Sequence, residues 1–259
     1  MSTSDDDGEN GLGGSDLFKE PDGFYEPEKQ PTFASYRLTR GDELTLRLVG
    51  HNPLWGHHLW NAGRTLATYL EDNAATLVEG KCVLELGAGA GLPSIICAML
   101  GAKQVIVTDY PDADLIENLQ YNIDHCSQLP QPRNIIANGF LWGADTMPLI
   151  ARLPDSIESF DLLILADLLF NHSEHAKLLA TVQKTLGRET GAQALVFFTP
   201  YRPWLLQKDL AFFDLARTGG LEVEKMFEHV MEKVMFEEDP GDELLRRTVF
   251  GYRLTWPKS

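Results

Sequence analysis

Apolar and polar positions along the chain change rhythm at residue 81. Before it, Leu44, Leu46 and Leu48 alternate with Thr45 and Arg47, which predicts a strand with one wet face. A turn-rich loop over 50–56 follows. Ala62, Leu66 and Leu70 then recur at helical spacing and predict a helix over about 59–70. From Lys81 onward short, largely apolar runs alternate with longer, helix-like ones. The apolar runs at 82–86, 104–108, 134–137, 160–165 and 194–199 read as buried parallel strands. The stretches at about 92–100, 112–125, 173–186 and 204–216 read as the helices between them. Such alternation predicts βαβ units and a parallel sheet. The end breaks the order: 221–235 and 244–256 are both strand-like, with no helix between them. They predict a terminal hairpin, which makes one strand antiparallel. The expected fold class is therefore α/β.

Residues 1–16 carry five acidic side chains, no Lys or Arg, and four glycines, and are expected to be a disordered tail. The stretch 17–31 mixes Pro21, Pro27 and Pro31 with Phe18, Phe24 and Tyr25. Prolines block regular structure and aromatics favour burial, so an ordered arm lying on the domain is expected. The division is thus a tail at 1–16, an arm, strand and helix at 17–80, and a core at 81–259.

Composition narrows the function. Among 259 residues, 22 basic and 38 acidic side chains leave a net charge of −16. That opposes non-specific binding to nucleic acid or an anionic membrane, both polyanions; it suits a cationic partner, with solubility alone as the alternative. A hydrophobic fraction of 44% excludes wholesale disorder. No apolar run reaches the ~18 residues of a membrane span. The first residues resemble neither a secretory signal nor a transit peptide. Three cysteines do not make a disulfide framework. A cytoplasmic monomer is expected. His172 and His175 are helix-spaced but lack a cysteine partner, and no metal site is expected.

The sharpest chemical signal is Glu85-Leu86-Gly87-Ala88-Gly89-Ala90-Gly91, between a strand and a helix. Glycines there allow a tight turn and close approach of backbone to a ligand, and the helix start offers free N–H groups. A dinucleotide fingerprint needs its third glycine at position 92, which is Leu92. Asp109 ends the next strand, where a carboxylate can accept both hydroxyls of a ribose. The pattern points to a nucleoside-type ligand rather than a nicotinamide dinucleotide; a bare strand–helix turn is the plainer reading.

The loop and Asp109 resemble the first two motifs of the seven-stranded S-adenosylmethionine-dependent methyltransferases. Closer likeness lies in Trp55-Gly56-His57-His58-Leu59-Trp60-Asn61-Ala62-Gly63, in Thr108-Asp109-Tyr110-Pro111-Asp112 and in Asp167-Leu168-Leu169-Phe170-Asn171-His172. With the Leu17–Phe24 arm, these are similar to the fungal protein N-terminal and lysine methyltransferases that act on elongation factor 1-alpha. The resemblance covers about residues 17–256. It implies a Rossmann-like seven-stranded sheet with a C-terminal antiparallel hairpin, S-adenosylmethionine as cofactor and elongation factor 1-alpha as protein substrate. It also implies a cofactor site of Trp55, Trp60, Glu85, Gly87, Ala88, Gly89, Gly91, Asp109, Tyr110, Trp142 and Ala166.

Trp60 is expected to pack on the sulfonium, a cation, and Trp142 to stack near the adenine; for both, a structural aromatic is the alternative. Asp167 lies just past the fourth core strand, where open α/β sheets bind ligands. It is expected to grip the substrate amine, with helix capping as its alternative role. Phe170 stands where many lysine methyltransferases carry Tyr, so it has no hydroxyl for the amine; Asn171 and His172 supply polar groups beside it. An α-amino group, with a pKa of ~7.7–8.0, is easier to deprotonate than a lysine at ~10.4. The expected reaction is methylation of a chain N-terminus and a nearby lysine. A small-molecule N-methyltransferase and a non-catalytic binding protein are the alternatives.

Overall fold

The computed structural model describes residues 30–258. The expected tail and almost all of the arm fall outside them. Two antiparallel strands come first: β1 (Thr32–Arg37), which the pattern did not single out, and β2 (Glu43–Leu48). Leu44, Leu46 and Leu48 are buried, as their alternation demands. Helices α1 (Asn61–Asp72) and α2 (Ala74–Leu77) follow.

The core then runs β3 (Cys82–Leu86), α3 (Leu92–Met99), β4 (Gln104–Asp109), α4 (Ala113–His125), β5 (Ile135–Gly139), α5 (Met147–Ile150), β6 (Leu162–Ala166), α6 (His175–Thr185), β7 (Gln193–Phe198), α7 (Leu206–Thr218), β8 (Glu222–Val230), α8 (Glu243–Arg246) and β9 (Thr248–Thr255). The seven-stranded sheet has the order β5-β4-β3-β6-β7-β9-β8. Its first five strands are parallel, and β9 runs antiparallel to both β7 and β8. The expected methyltransferase-type α/β sheet with a C-terminal hairpin is the observed fold.

Strand pleating divides the core into two layers. Val83, Val105, Ile164 and Phe197 face one way, onto α1, α3, α4 and the β1–β2 ribbon. Leu84, Ile106, Leu165 and Val196 face the other, onto α6 and α7. Each layer is filled by large apolar side chains, and burial of a Leu, Ile or Phe is worth about 1.5–3 kcal/mol.

The hairpin is shorter than the pattern predicted, and a one-turn helix, α8, stands between its strands where no helix was expected. The chain leaves β8 after Val230, and 231–242 is irregular until α8. Asp242 caps α8 by accepting the N–H of Leu245 at 3.0 Å, and the guanidinium of Arg246 donates to the carbonyl of Phe236 at 2.7 Å. These contacts direct the segment over the start of α1. There the Phe236 ring meets Trp60 and Tyr201, at centroid separations of 5.8 and 6.0 Å.

Candidate active site

The site lies beyond the carboxyl ends of β3, β4, β6 and β7, where the strand order reverses direction. The β3–α3 loop is built on three glycines with left-handed backbone: Gly87, Gly89 and Gly91 have φ of 59°, 57° and 76°. A Cβ on Gly87 would lie 2.6 Å from Leu168 and 3.3 Å from Trp142; one on Gly91 would lie 2.9 Å from Leu119. A Cβ on Gly89 would meet nothing within 4 Å. Gly87 and Gly91 are therefore fixed by packing, while Gly89 borders open space. Leu86 carries the chain into this turn, and the loop is tied to the neighbouring strand by Ala88 N–H donating to the Thr108 carbonyl at 2.9 Å.

Three buried carboxyls fix the geometry from below. Glu85 accepts the N–H of Ser94 at 3.0 Å, inside the first turn of α3. Its burial, opposed by that hydrogen bond and reinforced by Asp109, pushes its pKa up to about 8. Asp109 accepts the N–H of Gly89 at 2.6 Å and of Tyr110 at 2.7 Å. Burial raises its pKa too, against those two hydrogen bonds. Asp167, with left-handed backbone at φ 54°, accepts the N–H of Thr199 at 2.7 Å and of Ala62 at 3.0 Å. Burial takes it up to about 7, with Thr199, Ala62 and the Tyr201 hydroxyl opposing and Asp209 adding. Asp167 does not cap the helix after it; it caps α1, where the residue at the N-cap position, Trp60, supplies no capping side chain.

Above these groups runs a cleft of about 390 Å³. Its walls include Trp60 and the neighbouring half-exposed Trp55, Trp142, Glu85, Asp109 and the exposed Tyr110. Gly87, Ala88, Gly89, Ala166, Asp167 and Asn171 also line it. Gly91 and His172 are not among its lining residues. Gly91 caps α3, and the His172 imidazole bonds Asp209 at 2.6 Å. His175 bonds the carbonyl of Leu169 at 2.9 Å. Among the described residues, no three His, Cys, Asp or Glu side chains are placed to hold a metal. No helix of the described residues is long and apolar enough to cross a membrane.

A second pocket of about 230 Å³ adjoins the first. The two share Trp55, Trp60, Asp167 and Phe170. The far walls of the second are Tyr201, Phe236 and Arg202, with the carboxylates of Asp209 and Asp239. The Tyr201 hydroxyl accepts the N–H of Asn61 at 3.2 Å, and its ring lies 4.9 Å from that of Trp60. Sequence reasoning missed Tyr201, Asp209, Phe236 and Asp239. Tyr201 follows β7 by three residues, at the carboxyl end of a parallel strand, and that position was a usable signal. Nothing local in the sequence brings Phe236 or Asp239 to α1.

A family model described as lysine methyltransferase matches residues 39–217. The protein N-terminal and lysine N-methyltransferase of Aspergillus fumigatus is 52% identical over 246 residues, covering 95% of each chain. That of Eremothecium gossypii is 44% identical over 265 residues, covering 98% of each. Among solved structures, TYW2 of P. horikoshii in complex with MeSAdo has the same fold, with a TM-score of 0.51 at 16% identity over 88% of this chain and 73% of that one. With a family match over most of its length and near full-length relatives, this chain is a methyltransferase and belongs to the protein N-terminal and lysine N-methyltransferases.

Proposed function

We propose that the chain transfers a methyl group from S-adenosylmethionine to the N-terminal amine, and to an adjacent lysine, of elongation factor 1-alpha in the cytoplasm. The observation that carries this reading is the meeting of two pockets at Trp60 and Asp167. One suits a nucleoside cofactor; the other is a narrow, aromatic-walled pocket with carboxylates, suited to an amine on a flexible stem.

The residues present fit the cofactor. The Asp109 carboxylate lines the cleft beside backbone N–H groups, as a ribose diol requires. Trp142 offers an aromatic face for an adenine, and Trp60 one for a sulfonium. Gly89 leaves room for close approach. Bound there, the cofactor supplies an electrophilic methyl group. The protein's own work is alignment and exclusion of water. Trp60, Tyr201 and Phe236 wall the acceptor pocket against solvent. Asp167 holds the start of α1, and so Trp60, in place. With Asp209, it gives the pocket the negative character that receives an ammonium. Asn171 adds a polar group to the cleft.

The connection between β8 and β9 supports a protein substrate. Asp239 reaches the acceptor pocket, and Glu237, Glu238, Asp242 and Glu243 lie beside it in an exposed segment. A basic protein end would be steered by such a rim; a neutral pyridine amide would not. One assay decides: labelled S-adenosylmethionine is offered elongation factor 1-alpha and nicotinamide together. Label in the protein, lost after prior acetylation of its N-terminus, is expected. Persistent label after acetylation would make lysine the principal target. Label in nicotinamide alone would overturn the reading.

A further inference from the structure

An ammonium ion drawn into the acceptor pocket is not yet a nucleophile, because the lone pair it needs is held in an N–H bond. The carboxylates that attract the cation also favour its protonated form. A pocket of this character therefore needs a path by which the proton leaves. The geometry contains one. Asp209, in the first turn of α7, faces the pocket with a side chain only 8% exposed. Its Oδ1 lies 2.6 Å from Nε2 of His172. His172 is outside the pocket lining, and its side chain is 24% exposed to water. One end of the pair thus meets the amine and the other meets solvent.

Resting on the amine-methylation reading above, we infer that Asp209 and His172 form the proton exit of the acceptor pocket. One proton is shared between Oδ1 of Asp209 and Nε2 of His172. As an N–H bond of the bound ammonium breaks, its electron pair stays on nitrogen and its proton binds Oδ2 of Asp209. The shared proton moves fully onto Nε2, making an imidazolium, and the imidazolium releases its Nδ1 proton to water. Protons balance: one leaves the substrate and one reaches solvent, with no oxidant or reductant. Asp209 is the catalytic residue in this scheme, and His172 is a positioning and relay residue that acts through it. Tyr201 and Asp239 line the same pocket as Asp209. Arg202 and Asp167 bear on Asp209 from the turns after β7 and β6. The His175 ring lies edge-on to His172 at 5.5 Å. Burial raises the Asp209 pKa while His172 and Arg202 oppose that rise, which is the balance a shared proton needs.

The test has two arms. In the first, the His172 imidazole of the full chain is observed by NMR, without substrate, in wild type and in Asp209→Asn. The proton held between Nε2 and Oδ1 at 2.6 Å is expected to resonate far downfield in wild type and to move back in the variant; the same spectrum in both would sink the relay whatever the substrate is. In the second, single-turnover methylation of an elongation factor 1-alpha N-terminal peptide is followed against pH. His172→Gln is expected to bind cofactor normally and to lose about tenfold in rate near neutral pH, since positioned proton transfer contributes about 10²–10⁴ and one relay member only a part of it. The loss should shrink at alkaline pH, where the amine deprotonates in solution. Added imidazole should accelerate His172→Ala in proportion to its concentration and leave wild type unchanged. A wild-type pH profile in His172→Gln, or no response to imidazole in His172→Ala, overturns the relay. Wild type that methylates no protein amine overturns the broader reading instead.

Discussion

Asp167 caps a helix to which it does not belong: its Oδ2 accepts the N–H of Ala62, in the first turn of α1, at 3.0 Å. Its Oδ1 accepts the N–H of Thr199, just past β7, at 2.7 Å. One carboxylate thus ties the ends of β6 and β7 to the helix that presents Trp60. An amide in its place has a single acceptor oxygen. Asp167→Asn should leave one of the two buried N–H groups unpaired and destabilise the fold by about 1–3 kcal/mol, besides lowering turnover. Thermal unfolding together with single-turnover rates checks this; wild-type values in both would rule out the bridging role.

Asp109 holds the glycine loop as well as facing the cofactor cleft. Asp109→Ala removes the acceptor for Gly89 N–H and, with the cofactor placed as proposed, a charge-assisted contact to the ribose. Hydrogen bonds to charged groups are worth about 1.5–3 kcal/mol, so S-adenosylmethionine affinity should fall by roughly one to two orders of magnitude. Isothermal titration calorimetry reads the change directly. Unaltered affinity would remove Asp109 from the cofactor site.

Two glycines of the same loop should respond differently to alanine. Both carry left-handed backbone, a strain of about 1–2 kcal/mol for a residue with a Cβ. At Gly87 the new Cβ also strikes Leu168 at 2.6 Å, so Gly87→Ala should lower the melting temperature more. At Gly89 the Cβ has open space, so Gly89→Ala should lose cofactor binding with the smaller loss of stability. Equal melting temperatures for the two variants would contradict the packing argument.

The buried carboxyls make stability pH-dependent in an uncommon direction. Glu85 titrates at about 8 and Asp167 at about 7 in the folded chain, both above the ~3.9–4.3 of an unfolded carboxyl. Between those limits the folded state holds protons that the unfolded state releases. Stability from these groups is therefore greatest at the acidic end and falls as pH rises toward about 8. Glu85→Gln, which keeps an acceptor for Ser94 N–H and never ionises, should flatten the alkaline side of the profile. Parallel melting curves for wild type and variant across that range would refute it.

The order of strands and longer helices from residue 81 was legible in the chain because buried parallel strands must be apolar on both faces, and helices on one; the one-turn helices α5 and α8 are too short to show a period. The glycine loop was legible because a tight turn with left-handed backbone demands glycine at fixed spacing, and Asp109 because it ends the strand beside that turn. The kind of family was legible in the Trp55–Gly63 and Asp167–His172 segments. Those signals are local, and the tertiary structure decided what is not. Sequence placed Asp167 at the site, but only packing turned its carboxylate onto Ala62, from a helix 105 residues earlier. It also drew Phe236 and Asp239 from the β8–β9 connection over α1, and set Asp209 between the acceptor pocket and His172. β1 escaped notice because its sequence, TFASYR, shows no strong alternation; it is ordered by pairing with β2. Contacts between distant segments depend on how strand order and helix faces close the fold, and no short-range pattern carries that information.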